Sequence, residues 1–131
     1  MATVTLISDA EAGPEVRAVF DDIRATRGTD YINNFWRALA HDPALLAATW
    51  ARLKAVMGPG ALDPLTKEMI YIAVSAANAC EYCAHSHTAA ARAKGMTEAQ
   101  YGELLSVIGM AAQTNALVSA LQVPVDEAFL I

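Results

Sequence analysis

A chain of 131 residues carrying 14 acidic and 9 basic side chains, net charge −5, is the size of one domain and too acidic to favour nucleic acid or an anionic membrane as partner. Its hydrophobic fraction of 55% and mean hydropathy of +0.29 are high for a small soluble chain, so part of that surface is expected in a subunit interface. The first nine residues have no basic stretch followed by an apolar core, so no signal peptide is expected and a cytoplasmic setting is. In that compartment the two cysteines point to redox or metal chemistry rather than to a structural staple.

Residues 1–12 read as an arm in which Ser8 and Glu11 stand at capping-box spacing. Val16, Val19, Phe20 and Ile23 then recur at helical spacing, predicting a first helix from Pro14 to the Arg27-Gly28 stop. Tyr31, Phe35 and Trp36 begin a short second helix ending near Ala40, its aromatics read as core, subunit face or pocket wall. His41 reads as a surface or capping residue. Asp42-Pro43 is a cap followed by proline, predicting a third helix to Met57 with Leu45, Leu46, Trp50 and Leu53 inward. Gly58-Pro59-Gly60 stops it.

Asp63-Pro64 opens a fourth helix that runs to about Ala77. Leu65, Glu68, Met69, Ile72 and Ala76 share one face of it, while Lys67 and Tyr71 lie on others. A carboxylate in that apolar stripe requires a partner, such as an Arg or Lys from another helix, or a raised pKa. Ser75 and Asn78 interrupt the apolar run well short of a membrane span. Asn78 is the expected cap of a fifth helix, with Glu81 bonding back to it, and Lys94-Gly95 is the expected end. Thr97 and Gln100 form another capping-box pair. The helical pattern from Glu98 to Leu121 contains Gly102 and Gly109, each costing about 1 kcal/mol relative to alanine, which predicts a break near Gly109. Val123-Pro124 ends it, and the apolar tail to Ile131 is expected to dock. With no strand alternation, repeat or linker, residues 1–131 read as one all-α domain of about six helices.

The chemistry concentrates on the fifth helix. At about 100° per residue, Cys80, Cys83 and His87 fall within a sector of roughly 60°, while His85 points the opposite way. Amide groups at a helix N-terminus favour thiolate over thiol, and an imidazole four residues past Cys83 can take its proton. Tyr82 and His85 read as packing or interface residues. In one straight helix Glu68 and Cys80 would stand about 18 Å apart; a hairpin bend near Asn78 would return Glu68 to the side of His87. A zinc shell of Cys80, Cys83, His87 and Glu68 is the first rival reading, though three ligands on one helical stripe suit a tetrahedral ion poorly; buried cysteines that merely pack are the other.

Glu68, eleven residues, then Cys80-x-x-Cys83-x-x-x-His87 resembles the core motif of the carboxymuconolactone decarboxylase superfamily, in the branch of alkylhydroperoxidase D (AhpD). The flanks Asp63-Pro-Leu-Thr-Lys-Glu68, Lys94-Gly95-Met-Thr97 and Gln122-Val-Pro-Val-Asp126-Glu are similar too. The resemblance implies an AhpD-like all-helical fold with the cysteines at the start of a helix in a hairpin, assembled as a trimer or hexamer. It also implies that Cys83 attacks a hydroperoxide, that Cys80 resolves it, and that His87 and Glu68 relay a proton. A lipoyl-type or thioredoxin-like dithiol would be the reductant, with no organic cofactor; the chain carries no flavin, haem or nucleotide motif. Between the cysteines it has Glu81-Tyr82 where the peroxidase has Ser-His, losing an imidazole and gaining a negative charge. Members that decarboxylate lactones generally lack the cysteine pair. Lactone chemistry run by His87 and Glu68 alone is the second possibility, and a metal-binding or scaffold oligomer the third.

Overall fold

The computed structural model describes residues 1–130, and among them it is all helical, with no strand. The chain divides at Gly58-Pro59, the predicted stop, into two compact units.

The first unit, residues 1–58, holds α1 (Pro14–Arg27), α2 (Asn34–Leu39) and α3 (Pro43–Met57). Gly28 closes α1 in the left-handed region at φ 65°, and the Asp42 carboxylate caps α3 by accepting the Leu45 amide. Phe20, Ile23, Ile32 and Leu46 are fully buried, each contributing about 1.5–3 kcal/mol of burial. Trp36 meets Trp50 edge to face at 5.4 Å, and the Trp50 indole donates to Asp22, which also pairs with Lys54.

Several expectations are corrected in this unit. Leu45 lies half exposed while Leu46 and Trp50 carry the inward face, because the capped first turn rotates Leu45 outward. Tyr31 precedes α2 and is exposed; of the aromatic group only Trp36 is buried. Ser8 and Glu11 form a turn rather than a helix start: both Ser8 donors bond the Glu11 carboxylate. The arm is tied down by Arg37, which donates to the Ile7 carbonyl, and by Asp9, which pairs with Arg24 and Arg37.

The second unit begins at Pro59 and holds α4 (Pro64–Ala77), α5 (Glu81–Ala93), α6 (Glu98–Leu121) and a 3-10 turn, Glu127–Phe129. Asp63 caps α4 as expected, and Thr97 with Gln100 forms the predicted capping box on α6. The α4–α5 hairpin is the most extensive helix pair, and α6 packs on α4. Ile72, Ala91 and Met96 are buried here, with Leu65, Met69, Tyr101, Leu104 and Ile108 packed around them.

Helix α6 is one continuous helix of 24 residues, unbroken at Gly109. Tyr101, Leu104 and Ile108 anchor its first half, and the helix gains enough from propagation to absorb two glycines. None of its residues is fully buried, and it is long and apolar enough, by length and composition only, to cross a membrane. Leu105, Val107, Met110, Leu117, Val118 and Leu121 are all exposed. The tail does not dock as expected: Val123, Val125, Phe129 and Leu130 are exposed as well, and Ile131 lies outside the described residues.

Candidate active site

Only Asn78, Ala79 and Cys80 lie between α4 and α5. Asn78 closes α4, Ala79 turns the chain at φ 53°, and Cys80 is already the N-cap of α5. The Cys80 amide donates to the Ser75 carbonyl at 2.9 Å, and the Ala79 amide to the Ala76 carbonyl at 3.2 Å. These are the two bonds of a Schellman closure, with alanine at the left-handed position that glycine usually fills. The expected Asn78 cap is therefore corrected: the chain needs Asn78 to end α4, so the next helix starts two residues later. Glu81 does not bond back to a cap; its side chain is 91% exposed and only approaches His85, itself 82% exposed, at 4.0 Å.

The sulfur of Cys80 takes the place of the usual capping oxygen. It accepts the Cys83 amide at 3.3 Å and is joined to Cys83 in a disulfide, the Cα atoms 5.3 Å apart. Both cysteines are half-buried. Amides at the start of α5, the Cys83 amide on the Cys80 sulfur among them, favour negative charge on sulfur at this end of the helix.

One turn beyond Cys83, His87 meets the carboxylate of α4. Its Nδ1 lies 2.6 Å from Glu68 Oε2. A carboxylate only accepts, so Nδ1 carries the proton and Nε2 is the nitrogen left to exchange a proton elsewhere. The other carboxylate oxygen, Oε1, accepts from Lys94 Nζ at 2.9 Å. Glu68 is 5% exposed. Burial pushes its carboxyl up, but hydrogen bonds from His87 and Lys94 and the nearby positive charge outweigh burial and hold it below its usual value. Glu68 thus meets both expectations at once, the ion pair and the histidine contact. Tyr71, expected to be core on another face, instead stacks on His87, ring centroids 3.5 Å apart. Its position three residues after Glu68 is the signal that could have found it, since i and i+3 are neighbours on a helix.

Cys80, Cys83, His87 and Glu68 are therefore brought together by one hairpin, with Tyr71 and Lys94 added. Among the described residues no group of three or more His, Cys, Asp or Glu side chains is placed to hold a metal ion.

An all-α hairpin with a Cys-x-x-Cys at its second helix start and a His–Glu pair behind it defines a dithiol–disulfide site on an AhpD-like fold. The carboxymuconolactone decarboxylase family model matches residues 43–126, and the chain belongs to that family, in its AhpD-like branch. The crystal structure of the alkylhydroperoxidase AhpD core from Rhodospirillum rubrum is similar over 100% of this chain and 98% of that one, at 72% identity and a TM-score of 0.98. "Uncharacterized protein 4 in cox locus" of Paracoccus denitrificans is 36% identical over 75 residues, 57% of this chain. That match spans 61% of the length of the Paracoccus protein.

Proposed function

We propose that the protein is a cysteine-based peroxidase or disulfide reductase. The observation that carries this is the Cys80–Cys83 disulfide one helical turn from a histidine whose Nδ1 is held by Glu68 at 2.6 Å. In the reduced protein, His87 Nε2 takes the Cys83 proton, with Glu68 stabilising the resulting imidazolium. The Cys83 thiolate attacks the terminal oxygen of a hydroperoxide and the O–O bond breaks. The departing alkoxide receives the proton from His87 and leaves as alcohol, and Cys83 becomes a sulfenic acid. Cys80 displaces that hydroxyl as water and closes the disulfide. An external dithiol of lipoyl or thioredoxin-like type restores both thiols and leaves oxidised.

The setting that fits is a cytoplasmic homo-oligomer, a trimer or hexamer. The exposed apolar side chains of α6 and the tail support assembly, because a monomer seldom leaves so continuous an apolar helix in water. Carboxymuconolactone-type chemistry is the second reading, supported by the family match and by a His–Glu pair that could act as acid and base without sulfur.

Hydroperoxide turnover with a dithiol reductant, measured for wild type, Cys83→Ser and Cys80→Ser, tests the main reading. Loss of turnover in Cys83→Ser and stalling after one equivalent in Cys80→Ser are expected. Unchanged turnover in both would end it, and lactone turnover surviving loss of both cysteines would establish the second.

A further inference from the structure

Helix α5 carries more than three residues on its reactive face. Successive 100° steps from Cys80 place Cys83, His87 and also Lys94 within one sector of about 60°. Lys94 lies two turns beyond His87, and Ala90 and Ala91 are the residues between them near that face, small enough to let α4 approach. Ala91 is fully buried. Lys94 is also the C-cap of α5, and its backbone is pinned. The Gly95 amide donates to the Arg92 carbonyl and the Met96 amide to the Ala91 carbonyl, both at 3.0 Å, with Gly95 at φ 93° and Met96 buried. This is a Schellman closure, so the stem of Lys94 starts from a fixed point and reaches Glu68 Oε1 at 2.9 Å.

We propose that Lys94 is a positioning residue of the redox site, supplying the counter-charge that lets Glu68 stay ionised against a neutral His87. The charge balance is simple. Lys94 and Glu68 together sum to zero, so the buried carboxylate needs no further proton, and His87 keeps an open lone pair at Nε2 for Cys83. Without the lysine, a buried negative charge remains, and the nearest proton acceptor touching it is His87. Protonating His87 in advance neutralises the pair but removes the base.

Among the described residues, other charged groups of these helices have neighbours of their own. Lys67 of α4 has its Nζ beside Gly60. On α6, Glu98 pairs with Arg92 at 3.2 Å, and Arg92 in turn covers the Tyr101 ring. Tyr71 contacts His87 through its ring face. Lys94 is thus the cation the structure assigns to this carboxylate.

The role rests on the thiol-redox reading, so the test uses one measurement that needs no turnover. The imidazole nitrogens of His87 are followed by 15N NMR against pH in reduced wild type, Lys94→Gln and Lys94→Arg. Glutamine keeps a hydrogen-bond donor without the charge, and arginine keeps the charge. In Lys94→Gln the pH at which His87 loses its second proton should rise by about one unit, and Lys94→Arg should restore it. In parallel, the hydroperoxide rate at neutral pH should fall several-fold, about tenfold at most, in Lys94→Gln and recover at higher pH, a recovery that damage to the fold would not give. An unmoved His87 midpoint in Lys94→Gln, or one that moves equally in Lys94→Arg, overturns the proposal. If wild type shows no hydroperoxide turnover, the function proposed above fails, and the NMR comparison alone still decides the role of Lys94.

Discussion

Glu68 on α4 and His87 on α5 meet at 2.6 Å although they stand nineteen positions apart in sequence. They meet because Ala79 turns the chain and Cys80 begins the next helix at once, so two helices fold back over a joint of three residues. The same joint sets the sulfurs at the helix start. One turn of backbone therefore positions both halves of the site.

The ionised Glu68 carboxylate should be visible in stability. Its folded-state pKa lies below the ordinary glutamate value of 4.5, so its contribution is fully present above about pH 4.5. It should be lost as pH falls further, through the depressed folded pKa. Denaturant unfolding of wild type and Glu68→Gln from pH 7 to pH 3 checks this: the wild-type advantage should shrink only below pH 4.5. A constant difference across that range would remove the ionised carboxylate from the account.

The left-handed Ala79 stores strain. A non-glycine residue there costs about 1–2 kcal/mol, partly offset by the greater chain entropy of glycine. Ala79→Gly should therefore stabilise the protein by up to about 1 kcal/mol in equilibrium unfolding. Destabilisation would mean the Ala79 methyl group makes contacts that outweigh its backbone cost.

Tyr71 holds the His87 ring by stacking. Pairs of this kind are worth about 0.5–1.5 kcal/mol, so Tyr71→Leu should slow hydroperoxide turnover by roughly 2- to 10-fold. Tyr71→Phe, which keeps the ring, should stay near wild type. Equal loss in both variants would point to the phenol hydroxyl instead of the stack.

The open face of α6 should be covered by a second copy of the chain. Sedimentation should give a mass several times 13.9 kDa, and paired charges at Val107→Glu and Leu117→Glu should shift it towards the monomer. A wild-type monomer at micromolar concentration would contradict the assembly, and partition of the wild type into lipid vesicles would favour a membrane as the cover.

Much of this was legible beforehand, for physical reasons tied to particular residues. Asp42-Pro43, Asp63-Pro64 and the Thr97–Gln100 pair announce helix starts because their side-chain oxygens accept the free amides of a first turn, and each is followed by a helical apolar pattern that Ser8 and Glu11 lack. The Glu68–His87 contact could be foreseen because a carboxylate in an apolar stripe demands a partner. The rest depends on choices no local pattern advertises. Ala79 adopts a conformation that glycine would have flagged, which hid the true start of α5. Lys94 stands at a helix end where a lysine usually serves solvent and dipole. The break expected at Gly109 failed because packing of Tyr101, Leu104 and Ile108 overrode propensity. Exposure of the tail reflects apolar surface with no place to go within one chain.

Cys83, activated by the pair behind it, should react first with peroxide. In reduced Cys80→Ser protein, one equivalent of hydroperoxide followed by a sulfenic-acid trap and peptide mass spectrometry tests it directly. The trapped adduct should sit on Cys83, and adding His87→Gln to the same protein should slow its formation about a hundredfold. No adduct on Cys83, or equal rates with and without His87, would contradict the account.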